Sequence, residues 1–273
     1  MDDLLIENLI SSCKTKLEKQ FAEVEDIAQF NQEKVLDAFI KNKIALRHFA
    51  GTTGYGYDDI GRDTLKLVYA DALKAEAAVI TPNIVSGTHA ISLALYSTLK
   101  TGDKVLSVTG MPYDTLRPVI DGDNHSLSNL GITFKYVDLI GDDFDYERIK
   151  SLDLKDFSML YVQRSRGYDE REVVSVDNMK KLFAFVRERG FGGIIFVDNC
   201  YGEFVEKTEP TEIGANLIAG SLIKNIGGGI TPTGGYVAGD RALIDKVEAR
   251  LTSPSIAAEV GSYAYGYQYF YQG

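Results

Sequence analysis

The sequence predicts an α/β protein with a mostly parallel β-sheet covered by helices, preceded by an N-terminal helical arm. Two observations support this prediction. Short apolar runs alternate with helical patterns over most of the chain, and residues 4–43 show the helical pattern alone. Alternation of strands and helices is typical of parallel sheets that are buried on both faces. A chain of 273 residues, 45% of them hydrophobic, can bury the core that such a sheet needs.

The helical arm is predicted from the spacing of apolar residues near the N-terminus. Between Leu4 and Lys43 they recur at three- and four-residue steps, as on one face of an amphipathic helix. We expect residues 1–44 to form this arm. A glycine-dense loop over residues 49–62 then leads into a predicted helix over residues 64–78.

The rest of the chain is predicted to alternate between strands and helices. Predicted helices cover residues 88–99, 113–120 and 176–189. Predicted strands cover residues 78–80, 104–108, 133–137, 158–162, 193–197, 217–220 and 235–238. No repeat or low-complexity linker divides this region, so we expect one large α/β domain over residues 45–252. Residues 253–273 are expected to begin a connection to an absent C-terminal domain, because their tyrosine-rich pattern stops without a helix cap.

Composition excludes several classes of partner. The net charge is −10 and no Lys/Arg-rich stretch interrupts it, so we expect no nucleic-acid partner and no binding to anionic membranes. The acidic start and the lack of an apolar run of about 18 residues predict neither a secretion signal nor a membrane span. Two cysteines make no disulfide framework and three histidines no metal-binding spacing, so the sequence predicts a cytoplasmic protein without a metal.

A lysine and an aspartate give the strongest chemical signal. Lys224 lies between a serine and three glycines, and Asp198 ends the apolar run that begins at Ile194. A pyridoxal-phosphate (PLP) enzyme needs a lysine for its Schiff base and a carboxylate to keep the ring nitrogen protonated. A surface lysine and a helix-capping or magnesium-binding aspartate are the alternative interpretations.

A phosphate site is predicted where an apolar run leads into a helix. Ser86, Gly87 and Thr88 open that helix, whose first N–H groups and positive dipole end attract anions. Ser221, three residues before Lys224, is close enough along the chain to reach the same phosphate. A simple helix N-cap at Ser86 and a turn role for Ser221 are the alternatives.

Three further residues follow predicted strands. Tyr113 comes after the strand that ends at residue 108, where its ring could stack on a flat cofactor. Gln163 and Arg166 follow the strand that ends at residue 162 and are predicted to bind the substrate carboxylate or the cofactor's phenolic oxygen. A core tyrosine and surface arginines paired with acids are the alternatives.

Taken together, these motifs resemble fold-type I PLP enzymes of the cystathionine and methionine lyase group. The Ser-Gly turn, the tyrosine, the Val-Asp-Asn-x-Tyr strand and the Ser-x-x-Lys motif follow in that order. More narrowly, the chain resembles the methionine gamma-lyase-like family often labelled aluminium resistance protein. The motifs that carry this resemblance are Gly54-Tyr-Gly-Tyr-Asp-Asp-Ile-Gly-Arg-Asp63, Ile84-Val-Ser-Gly-Thr-His-Ala90, Gln163-Arg-Ser-Arg-Gly-Tyr168, Val197-Asp-Asn-Cys-Tyr-Gly-Glu203 and Lys224-Asn-Ile-Gly-Gly-Gly229.

The resemblance implies a homodimer or tetramer that cleaves a carbon–sulfur bond of cystathionine, cysteine or methionine by β- or γ-elimination. It implies that Tyr57 and Arg62 reach the phosphate of a neighbouring subunit, with Tyr55 as a substitute for Tyr57 and a candidate substrate-site residue. Lys224 would also remove the substrate's α-proton as a base. Members of the group continue into a C-terminal domain that supplies part of the substrate site, which leaves cofactor binding better supported than turnover.

Three other functions stay open from the sequence. An aminotransferase or decarboxylase would share the cofactor machinery. A non-catalytic protein that binds a cofactor or docks to a partner through the tyrosine-rich end is a second alternative. A Rossmann nucleotide-binding protein is the weakest, because no Gly-x-Gly-x-x-Gly follows the first predicted strand.

Overall fold

The computed structural model describes residues 3–273 and shows a sheet covered by helices on both faces. The nine α-helices of the described residues are α1 (Asp3–Lys16), α2 (Glu18–Lys41), α3 (Ile60–Ala72), α4 (Gly87–Thr98), α5 (Arg117–Ile120), α6 (Tyr146–Lys150), α7 (Val176–Glu188), α8 (Arg241–Leu251) and α9 (Gln268–Gln272). The strands are β1 (Ala77–Thr81), β2 (Lys104–Ser107), β3 (Thr133–Tyr136), β4 (Leu139–Ile140), β5 (Asp143–Phe144), β6 (Met159–Gln163), β7 (Ile194–Asp198), β8 (Leu217–Ser221) and β9 (Gly235–Gly239).

The main sheet has seven strands in the order β1-β9-β8-β7-β6-β2-β3. Strands β8, β7, β6, β2 and β3 pair in parallel. Strand β9 runs antiparallel to both of its neighbours, β1 and β8. The predicted mostly parallel sheet is therefore confirmed, with β9 as the reversed strand. A separate hairpin pairs β4 with β5.

Helices cover both faces of the sheet because side chains alternate along each strand. On β6, Leu160 and Val162 join the core that also contains residues of α2, α3 and α7. Met159 and Tyr161 point to the opposite core, which contains residues of α4 and α8. All five residues of β6 are buried, as expected for a central strand.

The N-terminal arm is helical, as predicted, and the buried residues of its two helices all lie in the second half of α2. No residue of α1 is buried, whereas Asn31, Lys34 and Ala38 of α2 are. The Asn31 side chain donates to the carbonyl oxygens of Phe204 (3.0 Å) and Glu206 (3.1 Å). The arm thus contacts the loop that follows β7.

Two predicted helices differ from the structure. The helix predicted over residues 64–78 is α3, which begins at Ile60 because the Asp59 side chain caps it by accepting from Arg62 N at 3.0 Å. It ends at Ala72, and Lys74 then has a left-handed φ of 52°. The helix predicted over residues 113–120 is shorter in the structure, where only Arg117–Ile120 (α5) is helical. Helix α8 and the β4–β5 hairpin were not predicted.

The tyrosine-rich segment after residue 261 packs partly on α3 and the loop before it. Tyr267 and Tyr271 are buried and Tyr265 is exposed. The Tyr267 hydroxyl donates to Asp59 Oδ2 at 2.7 Å, and the Tyr271 hydroxyl donates to the carbonyl oxygen of Gly61 at 2.8 Å. These bonds fix residues 267–271 to the start of α3.

Candidate active site

A cleft with an empty volume of about 900 Å³ lies where β7 and β8 end and α4 begins. Asp198 and Ser221 are the last residues of β7 and β8. In open α/β sheets, ligands bind beyond the carboxyl ends of the strands. Seven of the residues predicted for the cofactor line this one cleft: Ser86, Gly87, Thr88, Tyr113, Asp198, Ser221 and Lys224.

The N-terminus of α4 forms one wall. Ser86 caps the helix, because its Oγ accepts from His89 N at 3.1 Å. Ser86 therefore acts as the N-cap of α4, and this capping bond is compatible with a further role in binding phosphate. Helix α4 is 12 residues long, and the amides of its first turn have no carbonyl partner within the helix. Such an N-terminus favours an anionic ligand.

Gly87 allows α4 to approach the strands closely. A Cβ atom at this position would lie 3.0 Å from Cys200 Sγ and 3.2 Å from Ser221 Cβ. Both contacts are tighter than ordinary van der Waals packing. A larger residue at position 87 would force these neighbours to shift by a few tenths of an ångström, whereas glycine lets the start of α4 lie beside the ends of β7 and β8.

Asp198 supplies a buried carboxylate at the floor of the cleft. It is 1% exposed, and its Oδ1 accepts from Cys200 N at 3.1 Å while Oδ2 accepts from the Tyr161 hydroxyl at 3.5 Å. Burial raises the pKa of Asp198, and the bond from Cys200 N and the charge of Lys224 oppose that rise. No ion pair among residues 3–273 includes Asp198. A ligand with a cationic nitrogen would compensate this buried charge.

Lys224 is half-buried and its amine lies inside the cleft. Nζ is 4.2 Å from the ring centroid of Tyr201, a cation–π distance. Burial lowers the pKa of Lys224, whereas Cys200 and Asp198 raise it, and the net shift is upward. The amine is therefore protonated at neutral pH and must lose a proton before it can act as a nucleophile.

Tyr113, in the loop between β2 and α5, also lines the cleft. Its hydroxyl is 3.0 Å from Thr88 Oγ1, and Gln163 Oε1 accepts from its backbone N at 3.0 Å. Burial raises the pKa of Tyr113, and Asp198 adds to the rise. The ring is neutral at physiological pH and is held at both ends, as a stacking platform needs.

The five other predicted residues do not line this cleft. Gln163 is buried behind it, where its Nε2 donates to the Ser165 carbonyl oxygen at 3.1 Å. Arg166 is exposed. Tyr55 and Tyr57 are exposed with their ring centroids 6.0 Å apart. Arg62 is buried and donates to the carbonyl oxygen of Gly56 at 2.9 Å.

Seven of the residues that line the cleft were not predicted from the sequence, and two of these, Cys200 and Tyr201, interact with Lys224. Cys200 is 3% exposed and contacts the amine of Lys224 as well as the Asp198 carboxylate. Burial raises the pKa of the Cys200 thiol well above its usual value, so the thiol is neutral. Tyr201 has a left-handed φ of 66° that turns its ring toward Lys224. The available sequence signal was that Cys200 and Tyr201 follow Asp198 by only two and three residues, directly after a strand end.

Metal and membrane features are absent from the part of the chain that the structure describes. Within residues 3–273, no group of three or more His, Cys, Asp or Glu side chains is placed to hold a metal ion. None of the helices in that range is long and apolar enough to cross a membrane.

Known proteins are similar to this chain in sequence and in fold. The model of the methionine gamma-lyase family matches residues 6–273. The uncharacterized protein YnbB of Bacillus subtilis is 45% identical over 256 residues, which cover 92% of this chain and 61% of YnbB. The crystal structure of a carbon-sulfur lyase involved in aluminum resistance from Clostridium novyi NT is 43% identical with a TM-score of 0.93, covering 100% of this chain and 66% of that one.

A more distant structure shares the fold. The pyridoxal-5'-phosphate dependent protein YhfS from Escherichia coli is 22% identical with a TM-score of 0.63, over 84% of this chain and 59% of that one. The chain thus spans about three-fifths to two-thirds of the length of the relatives it matches.

Proposed function

This chain belongs to the methionine gamma-lyase family, and we propose that it binds PLP at Lys224 and serves in carbon–sulfur bond cleavage of a sulfur amino acid. One observation carries the proposal. The amine of Lys224, the buried carboxylate of Asp198 and the N-terminus of α4 border a single cleft. These are a nucleophile, a partner for a cationic ring nitrogen and an anion site, the three functions that PLP requires.

The residues present fit the cofactor. Gly87, where a Cβ would contact Cys200 and Ser221, keeps the first turn of α4 open to a phosphate group. Thr88 and Ser221 add hydroxyl groups on either side of that turn. Asp198 is a buried acid without an ion pair among the described residues, so a protonated pyridine nitrogen would satisfy it.

Bound PLP supplies an electron sink that lowers the cost of a carbanion at the substrate's α-carbon. The side chains provide the binding and the proton transfers. Asp198 would hold the ring nitrogen in its protonated state, and Tyr113 would provide a flat surface for the ring. With PLP bound, the Lys224 amine would be the base for the α-proton, because among residues 3–273 it is the only lysine that lines the cleft.

Substrate, assembly and location belong to the same proposal. We take the substrate to be cystathionine, cysteine or methionine, with support from the family match and from the carbon–sulfur lyase of similar fold. A homodimer or tetramer would let Tyr57, Arg62 and Tyr55 of one subunit approach the cleft of another. Gln163 and Arg166 remain proposed substrate-site residues. Two free cysteines are consistent with the reducing cytoplasm. We also propose a division of the chain into three parts. The helical arm covers residues 1–44, the large α/β domain covers residues 45–252, and residues 253–273 begin a connection to a C-terminal domain.

Product analysis tests the reaction. The chain is incubated with PLP and each amino acid, and pyruvate, 2-oxobutyrate and ammonia are measured. Pyruvate or 2-oxobutyrate released with equimolar ammonia supports elimination. Transfer of the amino group to an added 2-oxo acid, without free ammonia, would indicate an aminotransferase instead. Lys224→Ala should abolish release, whereas Lys180→Ala, an exposed lysine on α7, should not.

A further inference from the structure

A buried carboxyl group, Glu203, lies behind the cleft and has no role in the chemistry described above. It is 1% exposed, and its Oε1 accepts from the Tyr236 hydroxyl at 2.9 Å. Its Oε2 has no hydrogen-bond partner among the described residues. Gly220 leaves the room that it occupies, because a Cβ there would overlap Oε1. An ionised carboxylate with one unpartnered oxygen is costly in such a place.

The nearby Glu209 is also fully buried, but its surroundings differ. It accepts from Phe204 N at 3.0 Å and from Asn199 Nδ2 at 3.2 Å. Burial raises the pKa of Glu209, and the bond from Phe204 N and the charges of Lys34 on α2 and Arg164 after β6 oppose that rise. Of the two buried acids, Glu209 therefore has the donors and cations that stabilise a charge.

The charged and titratable groups that face Glu203 favour its neutral form. Burial raises the pKa of Glu203 to about 8; its own backbone N–H and the Tyr236 hydroxyl oppose the rise, while Glu209 and Asp198 add to it. Tyr69 of α3 and Cys200 also face it, and both are neutral because burial raises their pKa values. The geometry and the charges thus agree that Glu203 carries a proton at neutral pH.

Glu203 belongs to the loop that shapes the cleft. Residues 199–204 contain Cys200 and Tyr201, which contact Lys224. The Asn225 side chain ties this loop to the turn after Lys224 by donating to the carbonyl oxygen of Tyr201 at 3.0 Å. On its other side, the loop is held to β9 through the bond between Glu203 and Tyr236. Ionisation of Glu203 would strengthen that single bond, but it would also place a charge on Oε2, which has no donor among the described residues, close to Glu209 and Asp198. An ionised Glu203 therefore favours movement of the loop that brings Oε2 into contact with water.

We propose that Glu203 is kept protonated in the folded chain and that its neutral carboxyl anchors residues 199–204, so that the cleft around Lys224 holds its cofactor less well at alkaline pH. The statement about the cofactor rests on the proposed function. Glu203 is thus a positioning residue, since it acts through the loop.

The test compares the wild type with Glu203→Gln, which keeps the shape and an acceptor for Tyr236 but cannot ionise. Glu188→Gln, at an exposed position on α7, is the matched control. Infrared spectra at pH 7 should show the C=O stretch of a protonated carboxylic acid in the wild type and the control but not in Glu203→Gln. Its absence from the wild type at pH 7 would overturn the proposal.

Unfolding by urea gives a second readout that needs no cofactor. Glu203 has a folded pKa near 8 and an ordinary unfolded value, so its proton favours folding at low pH and that contribution is lost as pH rises to about 8. From pH 5 to pH 8, the unfolding constant of the wild type should rise relative to that of Glu203→Gln, on the order of a hundredfold. Parallel pH dependences would contradict the proposal.

Cofactor binding gives the third readout. The ratio of the wild-type to the Glu203→Gln dissociation constant for PLP should be near one at pH 7 and reach about ten at pH 9. Tyr236→Phe removes the hydroxyl that donates to Glu203. In a chain that keeps Glu203, this change should weaken PLP binding already at pH 7. A ratio that stays constant with pH would overturn the coupling. Failure of the wild type to bind PLP at pH 7 would contradict the proposed function, and the first two readouts would still decide the protonation state.

Discussion

The contact made by Gly87 predicts a specific compensation between two residues. Gly87→Ala places a methyl group 3.0 Å from Cys200 Sγ and 3.2 Å from Ser221 Cβ. Ser221 lies on a fully buried strand and cannot move easily. The neighbours must therefore shift by a few tenths of an ångström, and overpacking of this kind destabilises by about 1–3 kcal/mol. The first turn of α4 should also move away from its place beside Ser221 and bind PLP more weakly.

The Cys200→Ala substitution removes the nearer of the two contacts. Alone, it should cost about 1–2 kcal/mol for the lost buried sulfur. In the Gly87→Ala/Cys200→Ala double variant, the new methyl group occupies part of the vacated space. The double variant should therefore be more stable than the sum of the single changes predicts, by about 1 kcal/mol or more.

Urea unfolding of the four proteins measures this coupling, with midpoints read at unchanged m-values. Gly192→Ala is the matched control, because a Cβ there meets nothing within 4 Å. The control should be as stable as the wild type or slightly more stable. The close approach of α4 to Cys200 would be refuted by either of two results. One is that the effects of the two single changes on the free energy of unfolding are additive in the double variant; the other is that Gly87→Ala leaves the free energy of unfolding unchanged.

Three further predictions follow from buried bonds and from Lys224. Arg164→Met should destabilise by about 2–4 kcal/mol in urea unfolding, because the buried acceptors of Asn199 and Gly202 lose their donor, whereas Glu206 is 35% exposed and can be solvated; a cost below about 1 kcal/mol would contradict it. Tyr267→Phe should cost about 1–2 kcal/mol through the lost bond to Asp59, whereas exposed Tyr265→Phe should cost nothing measurable. The pKa of Lys224 is raised, so its neutral fraction, and with it the rate of covalent attachment of PLP, should rise about tenfold per pH unit from pH 6.5 to 8.5; a flat rate profile would show that the amine is already neutral.

Much of the fold could be predicted because its strands have strong local signals. The central strands are short and almost wholly apolar, and each predicted strand of the main sheet is present. The direction of β9 has no such signal, since parallel and antiparallel buried strands show the same pattern. Residues 222–234 contain no α-helix in the structure, and a crossover to a parallel strand usually needs one.

Helix boundaries were less predictable because tertiary contacts decide them. Residues 113–116 were predicted as helical, but Tyr113 is held outside α5 by bonds from its hydroxyl and its amide to Thr88 and Gln163. Both partners are far away in sequence. The local apolar pattern therefore could not show where this helix begins.

The candidate site was predictable where it depends on strand ends and helix starts. Asp198, Ser221 and Ser86 occupy such positions, and the topology brings them together. Cys200 and Tyr201 were missed because their place in the cleft depends on the left-handed backbone at Tyr201, which no sequence rule for a non-glycine residue predicts. The burial of Glu203 could not be predicted from the sequence, because it depends on Tyr236 and Gly220, which are neighbours across the sheet.

The central claim is that Lys224 is the residue that holds PLP. The most direct measurement is borohydride reduction of the purified chain with added PLP, followed by peptide mapping, for the wild type, Lys224→Ala and the exposed-lysine control Lys180→Ala. The proposal predicts one pyridoxyl group on Lys224 in the wild type and the control, and none on the equivalent peptide of Lys224→Ala. Equal labelling of all three proteins at other lysines, with Lys224 unmodified, would contradict it.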